Sequence, residues 1–288
     1  MPNTSEKRAT FRQLHQSGCF VIPNPWDIGS ARYLQHLGFK ALATTSAGFA
    51  FSRGVPDYAV PRDVMLAHIR ELVEATDLPV NADFENGYAD TAEGVAESVR
   101  LCVQTGVAGL SIEDSTGDRA RPLHDVADAV DRIRAARAAI DESGEDVVLV
   151  GRCECFLVGQ EEIDEVLKRL VAYAEAGADC LYAPGVDESE NITAIVRAVA
   201  PKPVNILTSA PGGLTIAEAA SLGVRRVSVG SALARAAWGG FRRAAKLLAE
   251  HGEFEGFADA APHGELDAFF RQDLESRTPQ STASGIAR

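Results

Sequence analysis

The chain has 288 residues, with 28 Lys and Arg against 41 Asp and Glu, for a formal net charge of −13. That balance argues against broad electrostatic binding to nucleic acid or to an anionic membrane, although a few local arginines can still hold a small anion inside a cleft. A composition 46% apolar and 24% charged is that of a soluble globular protein, long enough for one large α/β barrel or two smaller domains.

The polar start, Met1 to Arg8, lacks the apolar core of a signal peptide, and no run of about 18 apolar residues occurs, so neither export nor a membrane span is expected. Five scattered cysteines without a CxxC pair fit free thiols in a reducing cytoplasm. Cys153 and Cys155, two apart, read as buried filler.

In chain order, Thr4–Gly18 is expected as an extra N-terminal helix. Eight strands then follow, each with a helix after it: Cys19–Trp26, Ala41–Ala47, Pro79–Glu85, Gly109–Ser115, Val147–Glu154, Cys180–Gly185, Pro203–Ser209 and Arg225–Gly230. The intervening stretches repeat apolar residues three and four apart, as in Val95, Val99 and Cys102. Glycines at 38, 106, 144, 177 and 223 stand where helices should stop. Eight such units predict a single-domain (β/α)₈ TIM barrel over residues 1–288. A doubly wound open sheet is disfavoured because no Gly-x-Gly-x-x-Gly follows the first strand. The tail from about Thr278 reads as disordered.

Asn81-Ala82-Asp83-Phe84-Glu85-Asn86-Gly87 is the most informative segment. Side chains at alternate positions of a strand share a face, so Asn81, Asp83 and Glu85 point together. Inward carboxylates are costly unless paired or bound to a metal. Ser111, Glu113 and Ser115 repeat the pattern on the next strand, and the pair suggests a divalent-cation site. In a barrel the active site forms at the carboxyl ends of the strands. Collected there are Asn24 and Trp26, Thr44 and Ser46 with Ala47-Gly48, the acids of strands three and four, Arg152 and Glu154, and Asn205, Leu207 and Ser209. Arg152 suits two-point binding of a carboxylate or phosphonate, and amides around Ser46–Gly48 suit a second anionic group. The plain alternative is that Asp83 and Glu113 pair with Arg152 as a buried ionic layer. Trp26 is most simply core and His124 a surface residue.

Pro23-Asn24-Pro25-Trp26-Asp27, Thr45-Ser46-Ala47-Gly48, Gly54-Val55-Pro56-Asp57, Asn81-Ala82-Asp83, Ser111-Ile112-Glu113-Asp114 and Val150-Gly151-Arg152-Cys153-Glu154 together resemble the isocitrate lyase/phosphoenolpyruvate mutase superfamily. The resemblance implies Mg²⁺, with Mn²⁺ as a substitute, held directly by Asp83 and by other acids such as Glu113 largely through waters. Asn81 and Glu85 complete the expected metal set. It implies Arg152, Asp57 and Glu113 in catalysis, and Trp26, Ser46, Ala47, Gly48, Arg152 and Asn205 around a small carboxylate. It further implies a homo-oligomer, dimer or tetramer, with the last helix exchanged between subunits. The expected chemistry makes or breaks a C–C or P–C bond beside a 2-oxo acid through an enolate-like oxyanion.

Two departures narrow that expectation. Asn81 stands where the family usually has aspartate, and Glu85 is an acid outside the usual pattern. The loop Ser115–His124 has neither the Lys-Lys/Arg-Cys-Gly-His motif of the isocitrate and methylisocitrate lyases nor the Lys-x-Asn of the phosphonate mutases. Decarboxylation asks least of this loop, because CO₂ leaves without a protein base. C–C cleavage of a 2-oxo or 2-hydroxy di- or tricarboxylate is therefore expected first and P–C chemistry second. A phosphate-binding or 2-oxo-acid-binding barrel, using Gly212-Gly213 and Ser231, is the reading from another class.

Overall fold

The computed structural model describes residues 2–277. Eight parallel strands are present: β1 (Phe20–Ile22), β2 (Leu42–Ala43), β3 (Val80–Asp83), β4 (Gly109–Glu113), β5 (Val148–Arg152), β6 (Cys180–Tyr182), β7 (Val204–Leu207) and β8 (Arg226–Ser228). They pair in the order β1-β8-β7-β6-β5-β4-β3-β2. The Ala43 N–H donates to Pro23 O at 3.0 Å across the remaining gap, so the sheet closes nearly into a (β/α)₈ barrel.

Every strand lies inside its expected span but is shorter, and the second is corrected most. It stops at Ala43, and Thr45 turns the chain into a helix, α3 (Ser46–Ser52), by accepting from the Gly48 N–H at 3.1 Å. A β-branched hydroxyl residue followed by Ser-Ala-Gly satisfies strand and N-cap preferences alike, and the cap wins here. All five expected stop glycines, at 38, 106, 144, 177 and 223, have positive φ.

Two apolar layers hold the barrel. The larger lies between strands and helices, with Leu72, Ile69, Leu110, Ile140 and Leu149 fully buried. The smaller fills the interior with Ile22, Ala43, Val148 and Val150, and is capped below by Phe11 of α1 (Thr4–Leu14). That helix ends four residues before the expected Gly18. Gly109 is needed where these parts meet: a Cβ there would stand 2.6 Å from Phe11 Cε1 and 2.7 Å from Asn81 Oδ1.

The chain divides into two compact units, one through Arg235 that holds the barrel and one from Ala236 onward. The second carries α11 (His263–Arg277) and presents Trp238, Phe241, Phe254, Phe257 and Leu274 to solvent. No helix among the described residues is long and apolar enough to cross a membrane. The expected disordered tail, 278–288, lies outside the described residues.

Candidate active site at the carboxyl ends of the strands

Arg152 closes β5 beside Glu113 at the end of β4, its register partner. Its Nη1 donates to Asp83 Oδ1 at 3.0 Å and contacts Glu113 Oε2 at 3.2 Å, while Nε donates to Glu154. The guanidinium stands over the Tyr182 ring, 5.2 Å from its centroid, and meets these three carboxylates through Nη1 and Nε. Asp83 Oδ2 accepts from both the Ser46 N–H (2.9 Å) and the Ser46 hydroxyl (3.0 Å). The Asp83 N–H is itself held by Thr44 Oγ1 at 2.8 Å. The side-chain partners of the alternative ionic layer are therefore present, but they use only part of the local acid.

Five carboxyl groups gather around this one guanidinium: Asp83, Glu113 and Glu154 contact it, and Asp57 and Glu85 stand behind Asp83. Burial would lower the Arg152 pKa, but Glu113, Glu154 and Asp83 more than reverse it, so Arg152 stays charged. The acids respond oppositely. Burial pushes Asp57 up, with the Asp83 charge adding to it. Burial first, then Asp83 and Asp57, raise Glu85 to about 8. Glu113 and Glu154 are raised by burial against the pull of Arg152. Asp57 Oδ1, Glu85 Oε1 and the Tyr88 hydroxyl are buried with no well-aligned hydrogen-bond partner, although the Tyr88 hydroxyl lies against the Glu85 carboxyl and Ser46 against that of Asp57. Buried carboxyl oxygens so poorly satisfied beside the Asp83 charge are the donors a hard cation recruits.

Among the described residues no group of three or more His, Cys, Asp or Glu side chains is arranged to ligate an ion directly. The donor set instead suits a cation with one or two direct protein oxygens and a retained water shell, the habit of Mg²⁺. Asp83, with a second lone pair on each oxygen, is the direct candidate; Asp57, Glu85 and Glu113 surround it.

Other expected site residues sit elsewhere. Asn81 is turned into the layer beneath Asp83, where its Oδ1 lies 3.4 Å from Arg226 Nη1 and its Nδ2 donates to Ala82 O at 3.0 Å. Asn205 belongs to that deeper layer too, accepting from Arg226 Nε at 2.9 Å and donating to Ser228 Oγ at 3.0 Å. The reason is strand periodicity: both residues face inward but stop one layer short of the mouth. There Arg226 is buried with neutral partners, including His15, whose own pKa falls to about 3 through burial and the Arg226 charge. The Ser46 amide faces Asp83 and the Gly48 amide faces Thr45, so of the expected cradle only the Ala47 N–H stays an open donor among the described residues. Trp26 is half-buried, with its N–H on Ser30 Oγ at 3.1 Å.

Two features escaped the strand pattern. Tyr58, in the loop between α3 and α4 (Arg62–Ala75), places its hydroxyl on Glu113 Oε1. Asp114, outward on β4's continuation, is fully buried: its Oδ1 accepts from the Glu154 N–H at 2.8 Å, and its Oδ2 from Arg169 Nη1 at 3.0 Å and the Tyr173 hydroxyl at 2.7 Å. The available signal was its place in Ile112-Glu113-Asp114, since an acid next to an inward acid faces the helices and needs a partner there. Arg132 of α6 (Val126–Ser143) does similar work for the loop after β3, donating to Ala89 O at 2.8 Å and Asp90 O at 2.6 Å.

A family model described as phosphoenolpyruvate phosphomutase matches residues 11–249. The chain belongs to the isocitrate lyase/phosphoenolpyruvate mutase superfamily. It is 32% identical over 272 residues to the uncharacterized protein Rv1998c of Mycobacterium tuberculosis (strain ATCC 25618 / H37Rv), covering 93% of this chain and 98% of that one. It is 30% identical over 238 residues to an oxaloacetate decarboxylase of Paraburkholderia xenovorans (strain LB400), covering 80% and 76%. A crystal structure from Burkholderia cenocepacia J2315, described provisionally as a lyase/mutase, superposes with a TM-score of 0.90 at 48% identity, over 93% of this chain and 97% of that one. Within this superfamily the chain is an enzyme of the lyase type, with mutases among its relatives.

Proposed function

We propose that this enzyme uses Mg²⁺ or Mn²⁺ to break a C–C bond in a small 2-oxo or 2-hydroxy di- or tricarboxylate, with decarboxylation of a 2-oxo diacid the favoured case. The observation that carries the reading is the acid excess at the mouth: five carboxyl groups around one guanidinium that contacts three of them, with Asp57 Oδ1 and Glu85 Oε1 left without a well-aligned partner. A divalent cation, when bound there, supplies concentrated positive charge for the oxo acid. Asp83 would hold it directly, and Asp57, Glu85 and Glu113 through water.

The chain's own groups supply the rest. Arg152 orients a substrate carboxylate, and its three acid partners keep the guanidinium from turning away. The Ala47 N–H and the charge of Arg152 favour the enolate-like oxyanion that forms when the electron pair of the broken bond moves onto the 2-oxo group. CO₂ leaves without a base, and solvent supplies the proton that completes the product. The missing loop cysteine favours this order over aldol-type lyases.

Release of pyruvate from oxaloacetate should require Mg²⁺ or Mn²⁺, stop with EDTA, and be lost in Asp83→Ala. Turnover that survives that substitution rejects the reading. A new phosphorus resonance from phosphonopyruvate would instead favour P–C chemistry, the runner-up. The phosphate-binding alternative is weaker: the cavity of about 350 Å³ around Thr208, Ser209, Gly212 and Gly213 is lined by Asp187 and by no lysine or arginine. The exposed Trp238, Phe241 and Phe254 favour a homo-oligomer, dimer or tetramer, through the unit beginning at Ala236.

A further inference from the structure

Three non-glycine residues among those described have left-handed φ: Tyr58 (62°), Glu85 (46°) and Tyr88 (54°). All three sit in loops at the barrel mouth. A bulky side chain held in that region is strained and persists only where its surroundings over-determine it. Glu85 belongs to the acid cluster and Tyr88 stands beside it, but Tyr58 has no part in the reaction as derived so far.

What holds Tyr58 is visible from its contacts. Its hydroxyl donates to Glu113 Oε1, and its ring lies where a Cβ on Gly117 would be 3.5 Å from Cδ1. One side chain thus ties the loop at 53–61 both to the end of β4 and to the loop that follows it. The residue is 38% exposed although its hydroxyl is inside, so the ring forms part of the outer cover of the mouth. Glu113 is left with Oε2 toward Arg152, and Asp57, the preceding residue, is brought beside Asp83 and Ser46.

We propose that Tyr58 is a positioning residue that latches the 53–61 loop over the mouth and fixes the orientation of Glu113 against Arg152. This rests on the proposed function for its catalytic consequence but not for the latch itself. Gly117, whose φ of 75° favours glycine, lies in the loop that packs against this ring.

The test uses the full chain and Tyr58→Phe, which keeps the ring and removes the hydroxyl. Trypsin can enter at exposed Arg53, where the loop begins. Loss of this buried hydrogen bond should speed cleavage after Arg53 about tenfold, read by mass spectrometry of the new fragment ends. It should lower kcat for Mg²⁺-dependent release of pyruvate from oxaloacetate about tenfold, with KM changed less than about threefold. Unchanged cleavage overturns the latch, and faster cleavage with unchanged kcat overturns the positioning role. Glu113→Ala, read by trypsin alone, should open the loop as Tyr58→Phe does, whereas Glu113→Gln, which keeps an acceptor oxygen, should not. If the wild-type enzyme turns over no oxo acid, the proposed function fails while the trypsin comparison still decides the latch.

Discussion

Replacing Asp114 by asparagine should be among the most damaging single changes outside the mouth. The side chain is 0% exposed and accepts three hydrogen bonds, one of them from the buried Arg169 guanidinium. Asparagine can keep the Glu154 N–H on its Oδ1, but its NH₂ then confronts Arg169 Nη1, donor against donor, while the Tyr173 hydroxyl must turn from donor to acceptor. Arg169 retains Glu165 Oε1 at 2.9 Å and His124 O at 3.0 Å, so its charge is not wholly abandoned. Breaking a buried pair by removing one partner costs about 3–5 kcal/mol, and the remaining partners place this case toward the lower end. For a chain of this size that is a fall in Tm of about 6–20 °C. Thermal and urea unfolding of wild type and Asp114→Asn would measure it, with Tyr173→Phe as a graded control losing about 1 kcal/mol. A fall in Tm below about 2 °C would refute the reasoning, because the network would then be incidental.

Glu85 carries a pH prediction. Its pKa in the fold is about 8 against an ordinary 4.5, so stability is highest while it is protonated and declines as pH rises from 4.5 toward 8. The slope is ~1.4 kcal/mol per pH unit, about 3 kcal/mol by pH 7. Measured in EDTA, Tm should fall more steeply between pH 5 and 8 in the wild type than in Glu85→Gln, and parallel curves would contradict the assignment. Gly109→Ala should lose ~1–3 kcal/mol in urea unfolding, since its methyl would meet Phe11 Cε1 at 2.6 Å and Asn81 Oδ1 at 2.7 Å; an unchanged midpoint would mean that the barrel floor yields easily.

The barrel and most of its mouth were legible because they depend on short-range rules. Alternating inward residues, stop glycines and eight repeated units are local patterns, and they placed Asp83, Glu113 and Arg152 at one end of the barrel. Asn81 and Asn205 show where that reading stops. Period two assigns a side chain to the interior but not to a depth, and depth separates a mouth residue from a partner of Arg226. Ser46 shows a second limit. A capped helix replaces the expected strand at Thr45, and this turns the serine donors onto Asp83.

Sequence alone determined the fold class and an excess of acid around one arginine, since both follow from residue types at fixed spacing, and its motifs carried the resemblance to the superfamily. Only the tertiary structure decided which oxygens Arg152 occupies and which acids are left without partners. It also decided that Tyr58, 55 residues from Glu113, lies on that carboxylate. Such contacts join segments far apart in the chain, and chain closure, not local preference, selects them.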